Sequence, residues 1–141
     1  MTRELVDRTG TPVTVALERA EPVSAYTVTV AGERVGRADF LDGPDARERV
    51  FFHTEVDPRF GGRGLAGLLL REALADSARE GLTVVPVCPF FARHLATHGD
   101  DYLAEGGSFR RPVRADMALV RRAAQGTGEA DPERSPERAE L

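Results

Sequence analysis

Four small groups of residues in this chain have the types and spacing to do chemistry. Gly61, Gly62 and Gly64 fall together in Arg59-Phe60-Gly61-Gly62-Arg63-Gly64, after a strand pattern and before a helix pattern. Glycine lets backbone N–H groups approach a ligand with no Cβ in the way. A helix N-terminus adds free N–H donors and a partial positive charge. With Arg63 as a fixed cation, the segment reads either as a phosphate-sized anion site or as a plain flexible turn. It is not a P-loop, because the GKS/T ending is missing, and it lacks the third glycine of a dinucleotide fingerprint. His53 and Glu55 are two residues apart in a strand pattern, which puts them on one face. A histidine beside a carboxylate can serve as a general base held in one tautomer, or it can be a rim histidine that satisfies a backbone group. Cys88 stands before Pro89 and a helix. A thiol there gains nucleophilic character, whereas most free cysteines are small buried hydrophobes. His94 and His98 are spaced i, i+4 with Tyr102 beyond them. No HExxH pattern accompanies them and the ligands are too few for a metal site, so both histidines read as surface or cap residues and no metal is expected.

The elements that must position these groups follow from periodicity. Val13–Leu17 alternates and reads as a short strand, while residues 1–12 are polar with little pattern. Ala25–Val30, Arg34–Leu41 and Glu48–Val56 read as three strands of an antiparallel meander, with Ala31-Gly32-Glu33 and Asp42-Gly43-Pro44-Asp45 as turns. The Gly segment follows Asp57-Pro58. From about Leu65 to Glu80, Leu65, Leu68, Leu69, Ala73, Leu74 and Ala78 form an apolar helical stripe, and Gly81 sits at the C′ position. Thr83–Val87 reads as a short buried strand with a bulge or free edge at Pro86, which has no N–H. A second helix is expected from Phe90 to about Thr97. Residues 113–125 fit a helix or a last strand, and residues 126–141, rich in Pro, Glu, Arg and Ser, read as a disordered tail.

Composition narrows the function classes. At 141 residues with 19 basic and 23 acidic side chains, the chain has a net charge of −4. That is one domain's worth of length without the basic field of a general nucleic-acid binder. No run approaches the roughly 18 apolar residues of a membrane span, and MTRELVDRTGTP lacks the apolar stretch of a secretory signal. The single cysteine cannot form an internal disulfide. A cytoplasmic protein is expected. The sequence contains no lysine, so Schiff-base and lysine–phosphate chemistry are excluded.

The pieces in order are His53-Thr54-Glu55-Val56, Gly62-Arg63-Gly64-Leu65-Ala66 and Val85-Pro86-Val87-Cys88-Pro89-Phe90, followed by a helix with His98 and Tyr102. This arrangement resembles the small stand-alone GNAT-like N-acetyltransferases of the YjdJ type, over about Ala25 to Tyr102. The resemblance implies an α/β fold: a mixed, mostly antiparallel sheet with a splayed cleft between the His53–Val56 strand and the Val85–Cys88 strand, flanked by helices. It implies an acetyltransferase domain over 21–112 with residues 1–20 as an N-terminal extension. Acetyl-CoA would lie in the cleft as co-substrate. Its pyrophosphate would rest on the Gly61–Ala66 backbone (Gly61, Gly62, Arg63, Gly64, Leu65, Ala66). Its pantetheine would pair with the strand at Glu55 and Val56, and its thioester would point toward His53 and Cys88, beside Pro89. His53 or Glu55 would take a proton from an amine acceptor, or Cys88 would carry the acetyl group as a thioester. The chain departs from the general family loop, which has Gln or Arg where Gly61 stands, and from the Pro-Glu-Tyr that usually follows the histidine, here Gly99-Asp100-Asp101-Tyr102. The competing expectations are an acyl-CoA-binding sensor or interaction module without useful transferase activity, and a small Cys–His thioester hydrolase. The expected partners are acetyl-CoA and an amine, with no nucleic acid and no membrane, in a monomer or weak homodimer.

Overall fold

The computed structural model describes residues 1–45 and 47–129. Seven strands form one sheet in sequence order: β1 (Thr2–Val6), β2 (Pro12–Glu18), β3 (Ser24–Val30), β4 (Glu33–Asp42), β5 (Glu48–Val56), β6 (Thr83–Pro86) and β7 (Ser108–Phe109). Neighbours from β1 to β5 are antiparallel, whereas β6 runs parallel to β5 and β7 parallel to β6. Parallel neighbours need a crossover, and helices α1 (Leu65–Arg79) and α2 (Pro89–Ala104) supply the two crossovers. The third helix, α3 (Arg114–Glu129), follows β7. The sheet is therefore mixed and mostly antiparallel, and the expected meander is β3–β5. Its first turn places Ala31 and Gly32 at φ 52° and 81°, the two positive values that a two-residue hairpin turn requires.

Two cores lie on opposite faces of the sheet. The larger packs Leu65, Leu69, Leu70, Ala73 and Leu74 of α1 and Phe91 and Leu95 of α2 against Tyr26, Val28, Phe40 and Phe51. Each fully buried Leu or Phe contributes about 1.5–3 kcal/mol. The smaller core sets Leu119, Val120 and Ala123 of α3 against Leu41, Val50, Phe52 and Val85. A buried polar group ties α1 to the sheet. The Tyr26 hydroxyl donates to Asp76 Oδ2 at 2.6 Å and accepts from Arg49, while Arg79 reaches Asp76 Oδ1 at 3.1 Å.

Three segments differ from the sequence reading. Residues 1–20, set apart as an extension, form β1 and β2 of the same sheet. β1 was hidden because Leu5 and Val6 adjoin without alternation and Val6 remains exposed. The second helix does not end near Thr97: it continues to Ala104 past a kink at His98 (φ −117°, ψ 15°). Gly99, inside the continued helix, is a contact point, since a Cβ there would lie 2.6 Å from the Phe109 ring. Residues 113–125 resolve as helix rather than strand, and residues 126–129 continue that helix instead of starting a tail, because propagation costs little once the packed part has nucleated. The remainder of the expected tail lies outside the described residues.

Candidate active site

The sheet opens at the middle of β5. The ladder between β5 and β6 runs from Glu48↔Thr83 to Phe51↔Pro86 and stops there. Pro86 has no N–H to extend it, and the next two donors, Val87 N–H and Cys88 N–H, both go to Phe51 O at 2.9 Å. On the other strand the register against β4 jumps from Phe40↔Phe51 to Asp39↔His53, which leaves Phe52 as a bulge. Bulges bend a strand and increase its twist. Residues 53–56 of β5 are thus paired to β4 alone, and among the described residues no strand meets their other edge. This is the splayed cleft expected between the two strands.

The bulge decides which side chains meet. His53 and Glu55 share one face, as expected, with Nε2···Oε1 at 2.9 Å, and both are exposed. Directly opposite on β4 stand Asp39 and Arg37, themselves paired at 2.6 Å. Thr54 and Val56 point the other way, and Val56 packs on the α1 core. Cys88 is buried at the N-cap position of α2, with Pro89 opening the helix. Its Sγ lies 3.5 Å from Thr54 Oγ1. The partner of Cys88 on β5 is therefore Thr54, and the Cys88–His53 convergence that the resemblance implied is not formed as a direct contact.

The Gly segment sits at the start of α1, after a 3-10 turn at Pro58–Phe60 capped by Asp57. Gly62 and Gly64 take φ values of +80° and +76°, conformations that cost an L-residue roughly 1–2 kcal/mol. Gly64 is the N-cap and supplies no side-chain bond to the first helical N–H groups. Gly61 to Leu68 line a groove of about 620 Å³ that Val56, Phe60 and Phe90 close on one side. The groove thus runs from the free end of β5 to the helix start.

Its charges are not arranged as the sequence suggested. Arg63, expected to be the phosphate cation, stacks on Phe60 with its guanidinium carbon 4.9 Å from the ring centroid and faces the buried Asp7 at 3.7 Å. The Asp7 carboxyl is held below the usual carboxylate range, first by the Thr9 hydroxyl and then by the Thr11 and Thr9 backbone N–H groups. Two further arginines line the groove, Arg8 from the β1–β2 turn and Arg71 from α1. Sequence reasoning missed both. Arg8 lies in a segment without pattern, and nothing in its neighbours signals the approach. Arg71 could have been found from its place two turns into the helix that follows the loop.

His94 and His98 lie on α2 with ring centroids 4.9 Å apart, in a separate groove between α1 and α2. Burial, then His98 and Arg71, hold His94 below the usual histidine range. Tyr102 is a packing residue: its hydroxyl donates to Leu74 O at 2.8 Å, and burial pushes its pKa up to about 12. Among the described residues no cluster of three or more His, Cys, Asp or Glu is placed to hold a metal ion, and no helix is long and apolar enough to cross a membrane.

Comparison with known proteins places this geometry. The family model described as GCN5-related N-acetyl-transferase matches residues 25–105. Among solved structures, the GNAT domain of S. lividans PAT shares the fold at 14% identity and a TM-score of 0.51, over 70% of this chain and 85% of that one. The ribosomal-protein-alanine N-acetyltransferase from Brucella melitensis biovar Abortus 2308 aligns at 25% identity and a TM-score of 0.46, over 55% of this chain and 62% of that one. The ribosomal-protein-S18-alanine N-acetyltransferase from Escherichia coli aligns at 23% identity and a TM-score of 0.40, over 45% of this chain. The aligned part spans only 40% of the Escherichia coli chain. A comparison with curated protein sequences finds no match.

Proposed function

The chain belongs to the GCN5-related N-acetyltransferase family, and from that premise we propose that it transfers the acetyl group of acetyl-CoA to an amine. The observation that carries the reading is the opening of β5 from β6 at Phe51, with the Gly61–Ala66 segment and the α1 N-terminus at one end of the groove that leads to it. The resemblance to the small YjdJ-type enzymes rests on the three motifs around His53, Gly64 and Cys88.

The residues present fit the co-substrate. The uncapped start of α1, with glycines at positive φ, offers N–H donors to a pyrophosphate. The unpaired edge of β5 at Glu55 and Val56 offers N–H and C=O groups to an amide-bearing chain, as an added strand would use them. Acetyl-CoA supplies the activated thioester. We assign the proton to the His53–Glu55 pair. An ammonium acceptor gives its proton to His53 Nε2 or Glu55, directly or through a water, and the free amine attacks the carbonyl carbon. The C–N bond forms, the C–S bond breaks, and the thiolate of CoA leaves and takes up a proton. Exposure of His53 and Glu55 to solvent supports this assignment, because an acceptor can reach them without moving the core.

In the alternative route Cys88 receives the acetyl group first and passes it on. Its burial and its Thr54 partner favour the direct route. The Cys–His hydrolase is disfavoured because Cys88 Sγ meets Thr54 and His53 meets Glu55, with no direct Cys88–His53 contact among the described residues.

The test has two steps. Melting with acetyl-CoA, with ATP as the phosphate control, reads cofactor binding. Release of free CoA is then followed across a panel of amines. Stabilisation by acetyl-CoA but not ATP, with amine-dependent CoA release, is expected. His53→Ala should lower turnover by about 10²-fold, the lower end for a general base, while Cys88→Ala retains it. Binding without turnover on any amine would turn the reading to an acyl-CoA-binding module. CoA release with no amine present would favour the hydrolase.

A further inference from the structure

Resting on the acetyl-transfer reading, we propose that the acceptor is a small amine that also carries a carboxylate, an amino acid, and that Arg37 on β4 holds that carboxylate.

The residues stand around the assigned base. β4 and β5 pair Asp39 with His53 and Arg37 with Glu55. Directly opposite residues of an antiparallel pair share one face, with Cβ atoms about 4.5–5.5 Å apart. The four side chains therefore make one patch, and Arg37 is its fixed cation. A groove of about 490 Å³ opens at this patch, lined by Arg34, Arg37, Glu55, Val56 and Asp57 among others. That volume falls within the range of small-ligand sites. Val56 also lines the groove that leads from the start of α1, so the two grooves meet at the unpaired edge of β5. One is the way in for the donor and the other for the acceptor.

The charges of this groove are committed unequally. Asp57 caps the Pro58–Phe60 turn and takes the Arg59 guanidinium. Arg34 donates to Glu18 at 2.7 Å and lies before the first β4–β5 pair, Gly36↔Val56. Arg37 is held from behind: its Nε donates to Asp39 Oδ1 at 2.6 Å, and the Asp39 side chain is only 13% exposed. Among the described residues neither terminal nitrogen of Arg37 has a hydrogen-bond partner in the protein. The side chain is thus anchored at its inner nitrogen. Its end-on fork, which can take a carboxylate with two parallel bonds, is left over.

A zwitterion fits this pattern. Its ammonium meets the His53–Glu55 pair and its carboxylate meets Arg37, one strand away. The ammonium gives up its proton to the pair, the C–N bond forms as the C–S bond of acetyl-CoA breaks, and the carboxylate stays bound and unreacted. A plain amine leaves the guanidinium without a counter-charge. A polyamine brings a second positive charge against Arg37 and Arg34. A peptide N-terminus has an amide where the carboxylate should be.

The experiment follows CoA release from acetyl-CoA by the full chain, with the standard amino acids, β-alanine and 4-aminobutyrate as acceptors. The best of them is then compared with its carboxamide, its decarboxylated amine and a dipeptide that begins with it. In the wild type the free acid should exceed all three by at least about tenfold in kcat/KM, since a site built to hydrogen-bond a group rejects analogues that lack it. Arg37→Ala should bring the acid-to-carboxamide ratio down to about one, mainly through the KM of the acid. Arg37→Lys keeps the charge and loses the fork, and should give an intermediate ratio. Each ratio is internal to one variant, so a general loss of activity cancels from it. Where Arg37→Ala does not fold, Arg37→Lys carries the same test. Equal use of acid and carboxamide by the wild type overturns the proposal, as does an unchanged ratio in the Arg37 variants. Release on the decarboxylated amine or the dipeptide in preference to the acid overturns it too, the latter making the acceptor a peptide N-terminus. Acetyl-CoA binding with no release on any acid, amide, amine or peptide would overturn the transferase reading itself, so the two failures are told apart.

Discussion

Replacing Gly64 by alanine separates the fold role of the loop from its ligand role. Gly64 sits at φ +76°. A left-handed alanine costs roughly 1–2 kcal/mol, and the loss of glycine's freedom in the unfolded chain returns about 0.4–1 kcal/mol. The net destabilisation is about 1 kcal/mol, or about 4 °C in melting temperature for a domain of this size. Gly81 provides the control. It has φ +70° far from the loop, and a Cβ there meets only the tip of Arg47 at 3.1 Å. Gly81→Ala should therefore lose a similar few degrees. Ligand binding should part the two variants, because the new Cβ of Gly64→Ala stands 3.4 Å from the Arg8 guanidinium, at the N-cap an anion must approach. At 100 times its dissociation constant acetyl-CoA stabilises wild type by about 2.7 kcal/mol. If the affinity of Gly64→Ala falls tenfold, the same ligand concentration gives only about 1.4 kcal/mol. Thermal scanning with and without acetyl-CoA reads both effects, and the ligand-induced rise should be roughly halved in Gly64→Ala and intact in Gly81→Ala. A full rise in Gly64→Ala, or an equal loss in Gly81→Ala, would refute the assignment of the α1 N-terminus as the anion site.

Other outcomes follow from the same contacts. Tyr26→Phe removes a buried hydroxyl that donates to Asp76 and accepts from Arg49. Hydrogen bonds to charged groups contribute about 1.5–3 kcal/mol each, so a loss of about 3 kcal/mol is expected in urea unfolding, as a lower midpoint at unchanged slope. Acid should unfold the protein below about pH 4. Arg110, with the Val113 N–H, holds Asp116 below its ordinary value of 3.8, and at Asp76 burial is outweighed by the Tyr26 hydroxyl and Arg79. A depressed carboxylate contributes stability above the unfolded value that is lost as pH falls through the folded one. Asp116→Asn should flatten that acid slope in denaturant titrations repeated from pH 6 to pH 3. Glu55→Gln keeps a hydrogen-bonding partner for His53 but removes the carboxylate, and turnover should fall less than in His53→Ala if His53 is the base.

Much of the fold was legible because it is built from local patterns. The alternation of Ala25–Val30 and Glu48–Val56 and the stripe from Leu65 to Leu74 correspond to β3, β5 and α1. The Gly segment could be located for the same reason: glycines before a helical stripe have few other uses. What stayed hidden is set by contacts between distant parts of the chain. β1 exists because β2 offers it an edge, with Thr2↔Ala16 to Val6↔Pro12 as the register, and no property of residues 2–6 announces that. The second helix, expected to end near Thr97, runs on through Gly99, which serves as a seat for the Phe109 ring in space. The pairing of Cys88 with Thr54 rather than His53 depends on the faces of β5 beyond a bulge at Phe52, which two-residue alternation does not foresee. Arg8 reaches Gly64 only because β1 and β2 bring their turn to the start of α1.

The cleft owes its shape to the exhaustion of hydrogen-bond donors more than to any one side chain. β6 pairs with β5 over four residues, the last of them Pro86, which has no donor to give. The next two N–H groups converge on a single acceptor, Phe51 O, and Pro89 then starts α2 and carries the chain away from the sheet. On the facing strand the Phe52 bulge turns β5 in its own direction. An unpaired strand edge inside a sheet is costly to leave bare and ready to pair with another chain. The same bulge separates the two faces, with Thr54 against Cys88 beside α2 and the His53–Glu55 pair on the opposite, solvent-facing side. Under the acetyl-transfer reading this gives the site a direction. Phosphates held at the start of α1 and amides paired along β5 thread the thioester through the opening, and the acceptor arrives from the side where His53 and Glu55 are open to solvent. The buried Cys88 and the exposed base then lie on opposite sides of β5, an arrangement suited to direct attack by an incoming amine and poorly suited to relay through Cys88.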